Sequence, residues 1–198
     1  GLSWRLEGVE IPNPNHFANV GASGGGISIL SSQLLGNSDF MTGAFAAEYG
    51  NALAGVFDLN LRKGNNEKRE YTVQAGFLGT DVAVEGPFAK NYRGSYLINY
   101  RYSTLSVLSK IGVNVGDAVT NFQDLSYNFF LPTTRYGNFS LFGFGGLSDQ
   151  NQDAERDSAK WEDDFQRYNS SYFSNTGAAG VKHALNLGSN SYVQSAIV

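Results

Sequence analysis

A run of polar and aromatic side chains near the start of the chain is a candidate ligand-binding site. Residues 13–26 read NPNHFANVGASGGG, and this density of Asn, Gly and Pro predicts a loop. Asn13, Asn15, His16 and Phe17 offer amide, imidazole and aromatic groups for contact with a ligand. An ordinary turn-rich loop is the alternative interpretation, because surface connections have the same composition.

A second candidate site is an acidic stretch late in the chain. Asp153, Glu155, Asp157 and Asp164 match the first, third, fifth and twelfth positions of a calcium-binding loop. Ser158 stands where that loop needs Gly, and its last ligand is normally Glu rather than Asp. We therefore expect a solvated polar loop, with loose Ca²⁺ binding as the weaker alternative.

Trp161, in the same stretch, is a candidate for stacking on a flat ligand face such as a sugar ring. Tyr168 and Tyr172 follow it and could add to the same surface. Packing of these rings within the loop is the alternative. Trp161 thus completes the set of candidate ligand-binding residues that begins with Asn13, Asn15, His16 and Phe17.

The sequence carries no motif for catalysis or for phosphate binding by a Gly-rich loop. The run 21–26 (GASGGG) lacks the Lys-Ser/Thr of a P-loop, so we expect a flexible loop there. No nucleophile motif such as GxSxG is present. His16 and His183 have no third metal ligand suggested by spacing. We expect a protein that is not an enzyme and has no resident cofactor or metal.

The composition predicts an all-β protein in which much of the surface is not ordinary water-exposed surface. Charged residues make up 16% of the chain, against roughly 25% in typical soluble domains. Aromatic residues make up 14%, there are 24 Gly, and the net charge of −4 argues against a nucleic-acid surface. Cysteine is absent, which excludes disulfides and thiolate metal sites. No apolar run is long enough for a transmembrane helix, but a membrane-spanning strand needs only alternate apolar residues.

The first region, residues 1–66, has short mixed elements rich in small residues. We expect a short helix and a helical turn at Leu30–Leu35 and Ala44–Tyr49. The basic residues Arg62, Lys63, Lys68 and Arg69 predict a solvated linker to the next region. We expect strands at Trp4–Ile11, Asp39–Thr42 and Val56–Arg62.

The second region, residues 67–198, has long strands with alternating polarity. In Tyr92–Tyr102 the even positions are aromatic, apolar or Gly, and the odd positions are polar except Leu97. Residues 123–131 repeat the pattern. The strands at Asn138–Leu147 and Ser171–Leu185 cannot be oriented from their sequences. A soluble sheet with one face on a core explains alternation equally well.

Connections in the second region alternate between short and long. Those at 86–90, 132–137 and 187–191 are short, whereas 103–120 and 148–169 are long, and a turn near Gly79 splits Glu70–Glu85 into two strands. A meander places every second connection on the same rim, and outer-membrane barrels have short turns on one rim and long loops on the other. This pattern predicts an antiparallel membrane barrel wall with Tyr92, Tyr100 and Tyr102 near the lipid headgroups.

An ordered series of segments resembles the TonB-dependent receptors of the gram-negative outer membrane. Residues 4–11 (WRLEGVEI) are similar to a strand of the plug domain of these receptors, with Glu7 where Asp is usual and Glu10 where Pro is common. Residues 38–50, ending in Tyr-Gly, and 53–62 resemble the end of the plug. Residues 85–88 (EGPF) resemble the turn of an early barrel hairpin. The closest likeness is to receptors with an extra N-terminal carboxypeptidase-regulatory-like domain.

The resemblance implies a fold and a function. Residues 1–66 would be the C-terminal part of a small α+β plug domain, and residues 67–198 about seven strands of a larger transmembrane antiparallel β-barrel, which has about 22 strands in this family. Residues 13–17 would form a plug apex facing the ligand, and the basic linker would lie in the periplasm. The chain would thus be a fragment of a longer receptor, and the TonB box would lie upstream of it.

Such a receptor imports a nutrient across the outer membrane without covalent chemistry. The family carries iron chelates, cobalamin, oligosaccharides and peptides. Ligand would bind at the plug apex and external loops, and TonB would then remodel the plug by pairing with the box and pulling. The implied partners are TonB, a small nutrient, the lipid bilayer and, in some receptors, a surface lipoprotein. The alternative is a surface β-protein that does not transport, such as an adhesin or a glycan-binding module.

Overall fold

The computed structural model describes residues 1–18, 25–43, 45–76, 79–104, 107–108, 111–112, 119–157, 161 and 167–198. These residues are mainly β, as the sequence predicts, and form three sheets. The strands are β1 (Leu2–Leu6), β2 (Val9–Ile11), β3 (Asn15–His16), β4 (Ile27–Ser28), β5 (Asp39–Met41), β6 (Gly55–Leu59), β7 (Glu70–Ala75), β8 (Gly79–Pro87), β9 (Ser95–Ser103), β10 (Val119–Pro132), β11 (Asn138–Gln152), β12 (Ser170–Asn186) and β13 (Tyr192–Ile197). No helix among the described residues is long and apolar enough to cross a membrane.

The N-terminal region contains a four-stranded mixed sheet in the order β2-β1-β6-β5. β1 pairs parallel with β6, whereas β2 and β5 are antiparallel to their neighbours. The single strand expected at Trp4–Ile11 is wrong, because the chain reverses at Glu7-Gly8 and forms a hairpin. Both turn residues have positive φ, 55° and 87°, as a two-residue hairpin turn with the twist of its strands requires.

The short helix expected at Leu30–Leu35 is wrong, whereas the helical turn expected at Ala44–Tyr49 is present as a turn at residues 46–49. Each is one hydrogen-bonded turn, closed by Leu34 N–H to Ser31 O at 3.0 Å and by Tyr49 N–H to Ala46 O at 3.0 Å. Ala44, where the second was expected to begin, lies outside the described residues. A turn this short cannot offset the entropy of helix nucleation by itself. The first turn is instead held by strand-like pairing of Leu35 with Leu61.

The second region forms a seven-stranded antiparallel meander in which β7 to β13 pair in chain order. The strands around the turn near Gly79 are separate, as expected. The sheet is open within the described residues, with β7 and β13 at its edges. Its long-loop rim carries connections 76–78, 104–118 and 153–169, and its short-turn rim carries 88–94, 133–137 and 187–191. Tyr92 lies in one of these connections and not in β9.

The polar face of the meander is the buried one. On β9 and β10, Asn99, Asp124, Ser126 and Asn128 are all at most 3% exposed. Leu97, the one apolar residue on the polar face of β9, is buried beside them. These residues lie towards the N-terminal region, which covers that face, while the opposite face is uncovered in the described residues.

The apolar face of the meander is correspondingly exposed. One row across the sheet joins Val73, Val82, Tyr100 and Leu125, which are direct neighbours on β7 to β10. Their exposed fractions run from 42% to 71%. The row continues through Gly145 and Gly177, so these positions of β11 and β12 lie on the same face of the sheet as Leu125, which the sequence pattern alone did not reveal. Leu141, Leu147 and Phe173 extend the exposed apolar surface.

A mixed core lies between the N-terminal region and β11. Phe142 and Phe144 point inward from β11 and pack with Leu6, Ile11, Ile29, Leu30 and Leu59. The apolar contacts are concentrated on β11, and the polar contacts on β8 to β10. The N-terminal region is therefore attached to the sheet by two kinds of contact, side by side.

Candidate functional site

His16 lies at the centre of the interface between the N-terminal region and the sheet. Its side chain is fully buried, with Nε2 3.0 Å from Asp124 Oδ2 and Nδ1 3.3 Å from Ser148 Oγ. The ring also packs against Phe122 at 4.9 Å between centroids. Both ring nitrogens are therefore occupied inside the fold, and a ligand could reach His16 only after the N-terminal region moved.

Asp124 joins two cationic or potentially cationic groups through one oxygen. Its Oδ2 accepts hydrogen bonds from Arg101 Nε at 2.9 Å and from a terminal Arg101 nitrogen at 2.6 Å, besides the contact with His16. The guanidinium of Arg101 also donates to the carbonyl oxygen of Ser28, across the interface. Asp81 on β8 is the register partner of Arg101 on β9, as Asp124 is on β10, so a row of alternating charge crosses three strands.

Gly146 makes room for His16 on the surface of β11. A Cβ at this position would lie 2.7 Å from His16 Cε1 and 2.8 Å from an Ile29 side-chain atom. Gly146 follows Asp124 in the same row of the sheet, because the two are register partners on β10 and β11. The imidazole thus sits over a position where any other residue would displace it.

The linker residue Arg62 was expected to be solvated, but it is only partly exposed and is paired with the sheet. Its two terminal nitrogens each donate to one oxygen of Glu85 at 2.8 Å, and its Nε donates to Gln33 O at 2.5 Å. Its own carbonyl accepts from Asn128 Nδ2 at 3.0 Å. The planar guanidinium matches the carboxylate in two parallel bonds, which fixes the geometry where the chain leaves the N-terminal region.

The other basic linker residues are exposed, as expected. Lys68 pairs with Glu70 at 2.9 Å, and this hydrogen bond raises the pKa of the Lys68 amine. The Lys63 ammonium lies 3.9 Å from the centroid of the Phe130 ring.

A further ion pair joins the hairpin turn of the N-terminal sheet to β12. Lys182 Nζ donates to Glu7 Oε2 at 2.7 Å, and Glu7 Oε1 accepts from the backbone N–H of Leu61 at 2.7 Å. Glu7, the residue that departs from the usual Asp of the resembled family, is only 8% exposed. Three charged contacts thus attach the N-terminal region, at Asp124, Glu85 and Glu7.

Of the expected ligand-binding residues, Phe17 is the one placed beside a cavity. It lines a small cavity of about 230 Å³ at the long-loop rim with Gln150, Ser170 and Tyr172. The Tyr172 hydroxyl donates to Ala18 O at 2.8 Å, which holds this edge of the loop. Asn15 is buried and donates to Asn13 Oδ1 at 2.6 Å. Residues 21–24, most of the Gly-rich run 21–26, lie outside the described residues.

Trp161 lies apart from these residues in the contacts that the structure describes. Its indole N–H donates to Glu155 O at 2.7 Å, and Arg167 lies over its ring at 4.9 Å. The side chain remains 38% exposed. Both local packing and an accessible ring are therefore present.

The acidic loop does not converge on a metal site in its described part. Asp153, Glu155 and Asp157 belong to no group of three potential ligands among the described residues. Glu155 Oε1 instead accepts the backbone N–H of Asp157 at 2.8 Å. Asp164 and Ser158, the remaining positions of the expected loop, lie outside the described residues.

Sequence reasoning missed Arg101, Asp124, Glu85 and Lys182 as interface residues. Each lies on a strand, and for Arg101 and Asp124 the signal was present, since both occupy the polar face of an alternating strand. A charged residue on the polar face would be unusual if the sheet also exposed aromatic residues to water on its other face.

We find no family model, curated protein or solved structure that matches this chain.

Proposed function

We propose that this chain is the end of a plug and the first wall strands of a TonB-dependent outer-membrane transporter. The observation that carries the proposal is the inverted polarity of the seven-stranded sheet. A soluble sheet buries its apolar face on a core, whereas a membrane wall turns that face to lipid and its polar face to the lumen. Here the buried face holds Asn99, Asp124 and Asn128, and the exposed face holds Val82 and Leu125.

The order of the connections supports the same proposal. The two longest connections share one rim, and three short ones share the other. Outer-membrane barrels have long external loops and short periplasmic turns. The chain passes from the N-terminal region to the sheet at residues 62–65, beside Glu85. The plug would therefore meet the wall near the short-turn rim, which would be the periplasmic side.

The contacts between the N-terminal region and the sheet suit a plug that must move. Charged and polar bonds replace much of the apolar packing that a permanent core would use, and water can substitute for such bonds when they open. TonB would pull from the periplasmic side through a box upstream of this chain. The pairs at Asp124, Glu85 and Glu7 would separate, and a passage would open along the polar face.

Ligand would enter from the long-loop rim, where Phe17 and Tyr172 line a cavity and Trp161 lies in the neighbouring loop. The nutrient is one of the classes that the resembled family carries: iron chelate, cobalamin, oligosaccharide or peptide. In this proposal Asn13 and Asn15 shape the loop, and His16 contacts the ligand only after the plug has moved.

Fractionation of a gram-negative host that expresses and exports the full-length receptor to which this chain would belong tests the proposal. We expect the protein in the outer-membrane fraction, extractable with detergent and resistant to washing with high salt or carbonate. Resistance to washing separates insertion from surface attachment through charges. Recovery of the native protein in the soluble periplasmic fraction would exclude both the membrane wall and the transporter.

A non-transporting surface protein is the alternative, and the exposed aromatic residues of the long loop favour it. Trp161 is 38% and Tyr168 65% exposed, and such rings stack well on sugars. An adhesin or glycan-binding module would bind its ligand equally well with or without TonB. Ligand accumulation inside cells that vanishes when TonB is deleted, with surface binding intact, would decide for transport.

A further inference from the structure

A cavity of about 740 Å³ opens at the short-turn rim, remote from the Phe17 cavity at the other rim. Its walls come from the segment that leaves the N-terminal region, from connections 88–94 and 133–137, and from β9 and β10. The volume is in the range of pockets for small molecules. The proposed transport function does not use this cavity.

The cavity is cationic and has no acidic lining residue. Lys63 and Arg93 line it, and no Asp or Glu is among the described residues that do so. Arg93 is exposed and makes no ion pair with any described residue, and Lys63 contacts only the Phe130 ring face. Two cations without a counter-ion raise the local concentration of anions.

Ser95 supplies an unpaired donor at the base of the cavity. The residue is 1% exposed, and its Oγ has no hydrogen-bond partner among the described residues. It is one of six buried side-chain atoms without a partner among the described residues, and the one whose residue lines this cavity, where a bound acceptor would satisfy it. This observation is independent of the two cations.

The backbone around the cavity is held in place. A Cβ at Gly64 would lie 2.1 Å from Tyr96 O, and one at Gly94 would lie 2.3 Å from the Tyr92 ring. The linker is thus pressed onto β9 next to Lys63, and Tyr92 is folded over Gly94. A backbone fixed at Gly64 and Gly94 lowers the entropy cost of binding a ligand in the cavity.

We propose that this cavity binds a phosphate monoester whose organic part carries a ring. A phosphate monoester has a charge of roughly −1.5 to −2 at neutral pH, which matches Lys63 and Arg93. Its three terminal oxygens accept from the Arg93 guanidinium in two parallel bonds, from the Lys63 ammonium and from Ser95 Oγ. The rings of Tyr92 and Phe130 face the same cavity and contact the organic part.

Isothermal titration calorimetry of the purified protein tests this site with phenyl phosphate as the probe. We expect phenyl phosphate to bind more tightly than inorganic phosphate, and phenol and benzoate to bind at least about tenfold more weakly. Inorganic phosphate binding as tightly as phenyl phosphate would assign the site to free phosphate. Equal binding of phenol or benzoate, or no binding of phenyl phosphate at millimolar concentration, would overturn the proposal.

Variants localise the binding. Arg93→Gln and Lys63→Gln should each weaken phenyl phosphate binding by about tenfold or more, and Ser95→Ala by about fivefold, because each removes a donor to a charged acceptor. Arg135→Gln is the matched control, since Arg135 lies in the adjacent connection 133–137 but does not line the cavity. A loss in Arg135→Gln as large as in Arg93→Gln would assign the binding to general surface charge. The test needs no transport assay, so it stands apart from the proposed function.

Discussion

At the residue scale, one carboxylate oxygen organises the interface between the N-terminal region and the sheet. Asp124 Oδ2 accepts from both Arg101 and His16, and its side chain is fully buried. A buried carboxylate without such donors would be strongly unfavourable, so the three side chains depend on one another. The arrangement gives the N-terminal region one defined position, because His16 can reach Asp124 only over Gly146.

The first prediction concerns the docked position of the N-terminal region on the sheet. Gly146→Ala places a methyl group 2.7 Å from His16 Cε1 and should destabilise the docked N-terminal region by about 1–3 kcal/mol. Gly145→Ala is the matched control, because the nearest atom to its Cβ is 3.9 Å away on the other face. Protease susceptibility of the N-terminal region measures the difference. Equal susceptibility of the two variants would mean that His16 does not need the space over Gly146.

The second prediction concerns the Arg62–Glu85 pair. Arg62→Ala leaves the nearly buried Glu85 carboxylate without its cation and should cost about 1–3 kcal/mol, less than a fully buried pair because Arg62 is partly solvated. Lys68→Ala breaks an exposed pair with Glu70, which solvent screens, and should leave stability nearly unchanged. Urea unfolding midpoints of the two variants provide the comparison, and a larger effect of Lys68→Ala would contradict the assignment.

At the element scale, the hairpin β1–β2 explains how a short N-terminal sheet reaches β12. The two-residue turn turns Glu7 towards Lys182 and the backbone of Leu61. A continuous strand would carry this carboxylate away from both. The turn geometry and the ion pair therefore stabilise each other, next to the end of the parallel pairing of β1 with β6.

The third prediction tests the turn itself. Gly8→Ala should cost roughly 1–2 kcal/mol, because Gly8 has φ of +87° and an L side chain opposes that conformation. Space is not the cause, since the nearest atom to the added Cβ is 3.8 Å away. Gly50→Ala serves as control, with nothing within 4 Å of its Cβ and no positive φ. Thermal unfolding of both variants should show a loss only for Gly8→Ala.

At the scale of the whole molecule, the burial of the two faces of the meander is the reverse of that in a soluble sheet. The apolar face is exposed, and the polar face is buried. The apolar face forms a continuous row from Val73 to Leu125, and the polar face carries the charges that hold the N-terminal region. Large exposed apolar patches in native proteins indicate a partner or a membrane. The proposed transporter puts lipid on that face.

The fourth prediction follows from that proposal. Leu125→Arg places a charge near the middle of β10 on the exposed face and should cost about 2–4 kcal/mol in a bilayer. Leu187→Arg, in connection 187–191, is a control at an exposed position outside the strands, with Leu187 63% and Leu125 45% exposed. Insertion of the full-length receptor into lipid vesicles during refolding should fall for Leu125→Arg and not for Leu187→Arg. Full insertion of both variants would argue that the apolar face does not contact lipid.

The sequence predicts the strands of the second region, their alternation and the rims of their connections. These are local properties, since side-chain direction and turn length depend on neighbours along the chain. It did not determine which face is buried, because alternation defines two faces but not what covers them.

The interface pairs depend on the tertiary structure. His16 and Asp124 are 108 residues apart, and Arg62 joins Glu85 only because the chain returns there. The fold also buries His16, which was expected at an apex facing the ligand, pairs Arg62 of the expected solvated linker with Glu85, and forms the cavity beside Ser95. Such contacts arise from long-range packing, which sums many weak interactions that no short segment contains.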